Sequence, residues 1–234
     1  MLNTMHRQCP APGAQRGLSI VEMMVGMTVG LLVVAAASMV VTTQLSENRK
    51  LLVEVQIQQD LRATADIITR ELRRTGAWTS AQTGVWSPAN PQPQPNTFAE
   101  LTLNAAPSTQ VGYRYKRVPG DTGGPYGFKL EGGTIKSLLG GAWQELTDSR
   151  TLSITAFSIT PEDGTPVQLP CTKVCKDGTT DCWPTITVRE LEVAISGEAA
   201  NDASVKRSVR TRVRLQNDWV KFNDADHPTQ VCPS

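Results

Sequence analysis

The sequence has few histidines, no marked excess of either charge and none of the common phosphate-binding or nucleophile motifs. Its two histidines are His6 and His227, so a hydrolase that needs a nucleophile, a base and an orienting group has few residues to draw on. It contains no glycine-rich phosphate loop and no Gly-x-Ser-x-Gly motif. The formal net charge of +1 gives no general attraction to nucleic acid. We therefore expect no catalysis, no cofactor and no direct nucleic-acid binding.

Charge and proline are both missing from a long stretch near the N-terminus. Residues 18–43 carry one charged side chain, Glu22, and no proline occurs between Leu18 and Gly76. The uncharged residues 23–43 span roughly 30 Å as a helix, which matches the hydrocarbon thickness of a bilayer. A soluble core helix is rarely apolar on all sides for so long. The sequence predicts a membrane-spanning helix, in which the Glu22 carboxylate needs a partner because burying it costs about 2.5–3.5 kcal/mol.

The residues before this segment indicate its orientation. Residues 1–17 contain His6, Arg7 and Arg16 and no acidic residue. The positive-inside rule then places the N-terminus in the cytoplasm and residue 44 onward on the outer side, although Arg49 and Lys50 weaken the bias.

Two ordinary interpretations of the segment are open. A secretory signal peptide would use residues 24–34 as its apolar region and be cut after Ala37, before Ser38. An unprocessed single-span anchor is the other, and it leaves Glu22 without a role.

A third interpretation comes from the motif Arg16-Gly17-Leu18-Ser19-Ile20-Val21-Glu22 ahead of the apolar helix. This motif resembles the type III signal of type IV pilins and of the pseudopilins of type II secretion. The resemblance implies that a prepilin peptidase cuts after Gly17 and that the new N-terminal residue, Leu18, is methylated.

Glu22 would then be the fifth residue of the mature chain. Its carboxylate could meet the α-amine of Leu18 in a neighbouring subunit, because opposite charges attract strongly in a low-dielectric helical bundle. We therefore interpret Glu22 as a residue that sets subunit register during assembly. The alternative is that Glu22 has no role in assembly and that its side chain extends to the lipid headgroups.

Beyond the apolar segment the pattern becomes amphipathic. Apolar residues recur every three or four positions, at Val53, Ile57, Leu61, Ala65, Ile68 and Leu72. This spacing predicts that one helix continues from Ser19 to Thr75 and stops at Gly76. We expect its stripe to pack on the protein's own sheet, since the heptads are too few for a free coiled coil.

The remainder is strand-like after a proline-rich connecting loop at residues 77–97. Alternating polarity and glycine-rich turns predict antiparallel strands at residues 111–117, 126–131, 133–139, 142–146, 151–160, 185–197 and 205–216. Phase slips predict bulges near Ala156 and near Arg189-Glu190. The predicted class is α+β, divided into a leader (residues 1–17), an apolar assembly helix (18–43), an extramembrane helix (44–76) and a β-rich domain (77–234).

The last predicted strand has two distinct faces. One face is apolar, with Val205, Val209, Thr211, Val213 and Leu215. The other is basic, with Lys206, Arg210, Arg212 and Arg214. Such a stripe could meet an acidic partner or DNA, although a solvated sheet face is the commoner explanation.

Four cysteines follow the apolar segment, while Cys9 precedes it. Cys171, Cys175, Cys182 and Cys232 suit two disulfides in an oxidising compartment, and three pairings are possible. Their spacing lacks the paired Cys-x2-Cys hooks of a zinc ribbon. The acidic pairs Glu162-Asp163, Asp177 with Asp181, and Asp224 with Asp226 lack a full calcium-loop pattern. We therefore predict disulfides and no metal site.

A looser resemblance covers the β-rich part. Tyr113-Arg114-Tyr115, then Trp143-Gln144-Glu145-Leu146, then residues 152–157 resemble PilW-type minor pilins and J-type minor pseudopilins. The resemblance implies a pilin-like subunit with a long N-terminal helix packed on an antiparallel sheet, anchored once in the inner membrane with a periplasmic domain whose C-terminal region is tied by disulfides.

The implied role is to help initiate type IV pilus assembly in a priming or tip complex. The implied partners are other minor pilins, the major pilin, prepilin peptidase, the inner-membrane assembly platform and a tip adhesin, in a fibre that serves adhesion, twitching motility or DNA uptake. Two alternatives stay open: a minor pseudopilin of type II secretion, and a membrane-anchored or secreted periplasmic enzyme or binding protein.

Overall fold

The structure is a computed structural model that describes residues 17, 19–84, 94–223 and 232. One α-helix, α1 (Ile20–Arg73), and a short 3-10 helix (Ala81–Gly84) precede eleven strands. The strands are β1 (Thr102–Leu103), β2 (Gln110–Tyr113), β3 (Tyr126–Glu131), β4 (Thr134–Leu139), β5 (Ala142–Glu145), β6 (Leu152–Pro161), β7 (Val167–Gln168), β8 (Thr185–Thr187), β9 (Glu190–Ala199), β10 (Asp202–Arg214) and β11 (Trp219–Lys221). The predicted α+β class is confirmed.

The chain divides into two compact units, Met1–Arg49 and Lys50–Ser234. In the first unit, the described residues are exposed along the apolar part of α1. In the second unit, α1 buries Ile57, Leu61, Ala65, Ile68 and Leu72, together with Thr64. The predicted stripe is therefore the buried face, apart from Val53, which is only partly buried.

Helix α1 ends close to the predicted stop. Its last residue is Arg73, two positions before the predicted Thr75. Gly76 follows with a φ of 78°, a left-handed conformation that glycine adopts without steric cost. Its N–H donates to the Arg114 carbonyl at 3.0 Å, so the chain turns from the helix directly onto the β-rich part.

The first sheet is an antiparallel meander in the order β1-β2-β3-β4-β5. Gly132 and Gly133 join β3 to β4 with φ values of 62° and 74°, as a tight two-residue hairpin turn requires. The predicted bounds of β3, β4 and β5 agree with the structure to within one residue.

The predicted strand 111–117 is too long. β2 ends at Tyr113, because the Lys116 N–H donates to the Ala77 carbonyl and the Arg114 carbonyl accepts from Gly76. Arg114 and Lys116 therefore form hydrogen bonds with the residues that follow α1 and not with a neighbouring strand.

The second sheet has the order β10-β9-β6, and β6 shows the predicted register shift, between Ile154 and Ala156. Ser108 and Ile159 form an isolated antiparallel bridge that connects β6 to the segment before β2. The first two sheets therefore share one core with α1, in which Phe128, Phe157 and Ile195 are fully buried.

The third sheet, β11-β8-β7, corrects the prediction of one strand at residues 185–197. The phase slip at Arg189-Glu190 is not a bulge. It marks the point where the chain leaves β8 and enters β9 in a different sheet. Two consecutive strands in different sheets look like one irregular strand when only side-chain polarity is read.

Both predicted disulfides are present in the C-terminal region. Cys175 pairs with Cys182 across a Cα–Cα distance of 5.8 Å, and Cys171 pairs with Cys232 across 5.6 Å. The first closes a short loop. The second links the segment after β7 to a residue beyond β11, and so ties the C-terminal region to the third sheet.

Candidate assembly helix and its junction with the sheets

The predicted cleavage and assembly residues lie at the start of α1. Gly17 is exposed, and nothing lies within 4 Å of a Cβ placed on it. Leu18 lies outside the described residues. The Ser19 carbonyl accepts a hydrogen bond from the Met23 N–H at 3.1 Å, and Glu22 lies in the first helical turn. Cleavage at Gly17 and methylation at Leu18 stay predictions.

Glu22 is exposed and makes no hydrogen bond or ion pair with the described residues. The first N–H groups of a helix lack intrahelical acceptors, so a carboxylate in the first turn is favoured there. This local effect explains why an acid is tolerated near the helix start. The Glu22 carboxylate can still form an ion pair with a cationic group from another chain.

The apolar part of α1 is the only described segment long and apolar enough to cross a membrane. Its most apolar window has a mean hydropathy of 2.3, and none of that window is buried. A soluble core helix would be mostly buried, whereas a membrane anchor and a signal sequence both fit these values. The helix therefore needs an apolar environment outside its own chain.

Hydroxyl groups in this part donate hydrogen bonds within the helix. The hydroxyls of Thr28, Ser38 and Thr42 donate to the carbonyls of Met24, Val34 and Ser38, at 2.8–3.1 Å. Such internal bonds suit a helix in lipid, where no water replaces a missing partner.

Gly26 and Gly30 stand one turn apart and were missed by our sequence analysis. They form a Gly-x-x-x-Gly pair, a pattern that lets two helix backbones approach closely, and, apart from the adjoining part of the helix itself, no atom of the described residues lies within 4 Å of a Cβ placed on either glycine. The spacing was visible in the sequence and would have identified these positions.

The C-terminal end of α1 is held by three donors. The Gln216 N–H donates to the Arg73 carbonyl at 3.1 Å, and the Asn217 side chain donates to the Thr75 carbonyl at 3.0 Å. The Asn96 side chain donates to the Gly76 carbonyl at 2.6 Å. The last helix carbonyls would otherwise lack partners. This junction therefore holds the C-terminal end of α1 against the β-rich part.

All three tyrosines of the protein gather beside Glu71 near this junction. The Tyr115 hydroxyl donates to the Glu71 carboxylate at 2.9 Å, and the Arg74 guanidinium donates to it at 2.6 Å. Tyr115 stacks on Tyr126 with ring centroids 4.6 Å apart, and Tyr113 lies 6.2 Å from Tyr115. The cluster joins the last turn of α1 to β2 and β3.

The cluster also changes the acidity of these tyrosines. Burial, followed by the Glu71 carboxylate, raises the pKa of both Tyr113 and Tyr115 above the ordinary value for tyrosine. Burial raises the pKa of Tyr126 as well. Sequence reasoning missed the cluster because Glu71 and Tyr115 are 44 residues apart and carry no local motif.

Arg189 is a second polar residue that sequence analysis did not identify. It is buried, and its guanidinium donates to the Ala99 carbonyl at 2.5 Å. Burial lowers its pKa, while the charges of Asp163 and Asp218 oppose that shift. Arg189 thus anchors the point where the chain passes from the third sheet to the second.

The basic face of β10 is exposed, and acidic side chains balance its charge. Its ion pairs are Lys206–Glu198 (3.2 Å), Arg210–Glu192 (3.2 Å), Arg212–Glu162 (2.9 Å), Arg212–Glu192 (3.7 Å) and Arg214–Asp218 (3.3 Å). Each of these basic side chains therefore has an acidic partner within the protein, although the arginines stay largely exposed.

Two of the acidic candidates for calcium binding accept hydrogen bonds from neighbouring residues. Asp163 accepts from the Glu190 N–H, and Asp177 accepts from the N–H and hydroxyl of Thr179. These bonds lower the pKa of Asp177. Asp224 and Asp226 lie outside the described residues, as do His227, Arg7, Arg16 and Cys9.

Comparison with protein families assigns the β-rich part. The family described as prepilin peptidase-dependent protein B matches residues 50–215, more than two thirds of the chain. The chain belongs to this family. It is a pilin-associated family, so that part of our sequence interpretation is confirmed, whereas the match does not distinguish a PilW-like minor pilin.

The match to the prepilin peptidase-dependent protein B family begins at Lys50 and ends at Leu215, so it includes the tyrosine cluster and the first two sheets. It contains none of the residues from Gly17 to Glu22. No curated protein and no solved structure matches the chain.

Proposed function

We propose that this protein is a minor pilin-like subunit that prepilin peptidase processes after Gly17 and that assembles through α1 into a pilus fibre or its tip complex. The observation that carries the proposal is the single carboxylate of Glu22, in the first turn of an exposed apolar helix, five residues after Gly17. The protein acts by assembly and not by catalysis.

Two independent observations support the proposal. The processing motif lies wholly before residue 50, while the family match lies wholly from residue 50 onward. The family's name specifies dependence on prepilin peptidase, and the motif supplies a bond that this peptidase would cut. Agreement between separate parts of the chain is stronger than either resemblance alone.

The exposed apolar surface of α1 supplies the driving force. Monomeric soluble proteins rarely expose a contiguous apolar patch of this extent. Lipid covers this surface before incorporation, and neighbouring helices cover it in the fibre. The Gly26 and Gly30 pair allows one of those neighbours to approach closely.

The partner of Glu22 is the α-amine that cleavage creates on Leu18 of an adjacent subunit. A staggered neighbour places an amine of one chain against the carboxylate of the next. Removing one member of a buried ion pair costs about 3–5 kcal/mol, because the other charge remains buried and unpaired. Glu22 therefore selects the register at which subunits join.

The first test is the intact mass and N-terminal sequence of the protein from membranes. The proposal expects a chain that begins at methylated Leu18 and loses its leader only when prepilin peptidase is present. A chain that begins at Ser38 would identify an ordinary signal peptide, and one that begins at Met1 an unprocessed anchor. Either result would overturn the proposal.

The second test replaces Glu22 with alanine. We expect normal processing and a loss of about tenfold or more in the amount recovered with sheared fibres, since 1.4 kcal/mol already corresponds to tenfold in an equilibrium. Glu22→Asp keeps the charge and should retain part of the incorporation. Glu47→Ala, on the same helix beyond the apolar segment, is the matched control. Equal incorporation of Glu22→Ala and Glu47→Ala would argue against a register role.

Cross-linking in intact cells tests the finer assignment. Recovery with other minor pilins and the major pilin would support a PilW-like subunit of a priming or tip complex. Recovery with components of a type II secretion system would assign the same subunit to a pseudopilus.

A further inference from the structure

Strand β10 forms an open edge of the second sheet. It is the longest strand, Asp202–Arg214, and β9 is its only strand neighbour among the described residues. Its register with β9 is unbroken from Lys206 to Arg214, with no proline or glycine in that stretch. Natural proteins usually interrupt or cover such an edge, because its unpaired backbone groups can bind another strand.

The hydrogen-bond pattern shows which backbone groups face outward. The Leu215 N–H donates to the Arg189 carbonyl at 3.0 Å in continuation of the β10–β9 register. Bonded and non-bonded pairs alternate in an antiparallel ladder, so the odd-numbered residues of β10 bond to β9. The N–H and C=O groups of the even-numbered residues therefore point away from β9.

Contacts close this edge at both ends. The Gln216 N–H, which points outward by the same alternation, donates to the Arg73 carbonyl at the end of α1. At the other end, the Arg207 guanidinium donates to the Lys206 carbonyl at 2.8 Å, and it also pairs with Glu54 of α1.

The outward backbone groups of Ser208, Arg210, Arg212 and Arg214 lie between these two closures. They have no hydrogen-bond partner within the part of the chain that the structure describes. The open stretch is long enough for an additional strand of average length.

The charges along this edge favour one kind of strand. The side chains of Arg210 and Arg212 are 72% and 64% exposed, whereas their acidic partners are less exposed, Glu192 of β9 at 16% and Glu162 at 35%. A strand added to β10 would lie about 4.8 Å from it and about twice that distance from β9. The added strand would therefore lie next to the arginine side chains of β10, with their acidic partners at least one strand further away, so acidic side chains on the added strand would be favoured.

The same geometry disfavours a second copy of this edge. Pairing β10 with the β10 of another subunit would place arginines of one strand close to arginines of the other, and like charges across strands are destabilising. The free edge of β10 is therefore better suited to pair with a different polypeptide segment than with the β10 strand of a second subunit.

We propose that the free edge of β10, from Ser208 to Arg214, binds an extended acidic segment of a partner polypeptide as an additional strand. Backbone hydrogen bonds would supply the affinity, and acidic residues at alternate positions would supply the selectivity. The proposal depends only on the second unit, so it stands whether or not the assembly role of α1 is established.

The test uses the full-length protein in detergent micelles and a fluorescent peptide, Thr-Glu-Val-Glu-Val-Glu-Thr. We expect saturable binding that weakens by about tenfold or more for two control peptides. The first carries lysine in place of each glutamate. The second keeps the glutamates and carries proline in place of each valine, so that it cannot form a full ladder. Equal binding of all three peptides, or no binding of the acidic peptide at about 1 mM, would overturn the proposal.

Ser208→Pro tests the backbone part. The Ser208 N–H faces the free edge, so proline removes an outward donor, keeps the β9 ladder and leaves every ion pair in place. We expect peptide binding to fall about tenfold or more while the melting temperature stays close to that of the unchanged protein. Ser208→Thr, which keeps the N–H, is the matched control. Unchanged binding by Ser208→Pro would contradict strand addition.

Hydrogen exchange provides a readout independent of substitution. The acidic peptide should slow exchange at the amides of Ser208, Arg210 and Arg212, and it should leave Val209 and Thr211 unchanged because these already bond to β9. Slowed exchange at none of the three outward amides would mean that the peptide binds side chains alone, which would also overturn the proposal.

Discussion

The two parts of α1 show how one continuous helix can serve two environments. Within residues 20–49 every side chain is exposed, and the only charge before Glu47 is Glu22. Within residues 50–73 charged and apolar residues alternate with helical period, and the apolar face is buried. Leu32 is 72% exposed, whereas Leu61 is fully buried.

This difference shows that apolar content alone does not decide burial within a chain. The first part is the more apolar, yet it packs against no other described residue. A helix that is apolar on all sides has no polar face to turn to water, so packing one face on the sheets would still leave the other faces exposed. The second part pairs one apolar face with the sheets and leaves a polar face for solvent. The first part therefore needs an environment outside the chain.

The largest effect on stability that we expect from a change within α1 comes from Leu61→Ala. Leu61 lies fully buried in the core shared by α1 and the first two sheets. Its truncation should lower the free energy of unfolding by about 3 kcal/mol, from lost burial and the cavity left behind. Urea unfolding of the full-length protein in detergent, followed by tryptophan fluorescence, measures this change.

Leu32→Ala is the matched control for that comparison. It removes the same atoms from the same helix at an exposed position, so the unfolding curve of the β-rich unit should not move. A similar loss of stability for both variants would show that the two parts of α1 do not differ in how much their leucines contribute to packing.

An intermediate effect is expected from Tyr115→Phe. Loss of the hydrogen bond to the Glu71 carboxylate should lower the free energy of unfolding by about 1–2 kcal/mol at neutral pH. The contribution should also depend on pH, because burial and Glu71 raise the pKa of Tyr115 in the folded state.

The sign of that dependence follows from proton binding. Below pH 10.0, the ordinary pKa of tyrosine, both the folded and the unfolded state hold the proton and the stabilisation is complete. Above it the unfolded state releases the proton while the folded state retains it, so stability falls as pH rises. The unfolding free energies of the unchanged protein and the variant should therefore converge between neutral and strongly alkaline pH. A constant difference would contradict this account.

The smallest effect is expected from Leu52→Ala. Leu52 belongs to the second unit but is exposed, so its truncation should change the free energy of unfolding by less than about 0.5 kcal/mol. A loss close to that of Leu61→Ala would move the start of the packed face towards the N-terminus. Together the three leucine variants locate where α1 begins to depend on the sheets.

Local signals allowed much of the fold to be predicted. The recurrence from Ile57 to Leu72 identified the buried helix face, and Gly76 identified its end, because both depend on helix geometry and on glycine's access to positive φ. The glycine-rich turn at Gly132-Gly133 identified the hairpin between β3 and β4 for the same reason. The alternation in β10 correctly separated its inner face from its outer face.

Features that depend on distant residues could not be predicted. The phase slip at Arg189 predicts a bulge, and this prediction is wrong because the polarity pattern does not show which sheet a strand joins. Four cysteines allow three pairings, and only the fold brings Cys171 beside Cys232. The Glu71–Tyr115 contact and the outward groups of β10 likewise have no sequence signature.

The sequence by itself determined the long helix, its change from uniformly apolar to amphipathic, and the position of Glu22, since each depends only on residue order along one helix. The tertiary structure decided the division of strands into three sheets, the disulfide pairing and the open edge of β10. Those outcomes depend on which distant segments bury each other's surfaces, and one-dimensional polarity does not specify that choice.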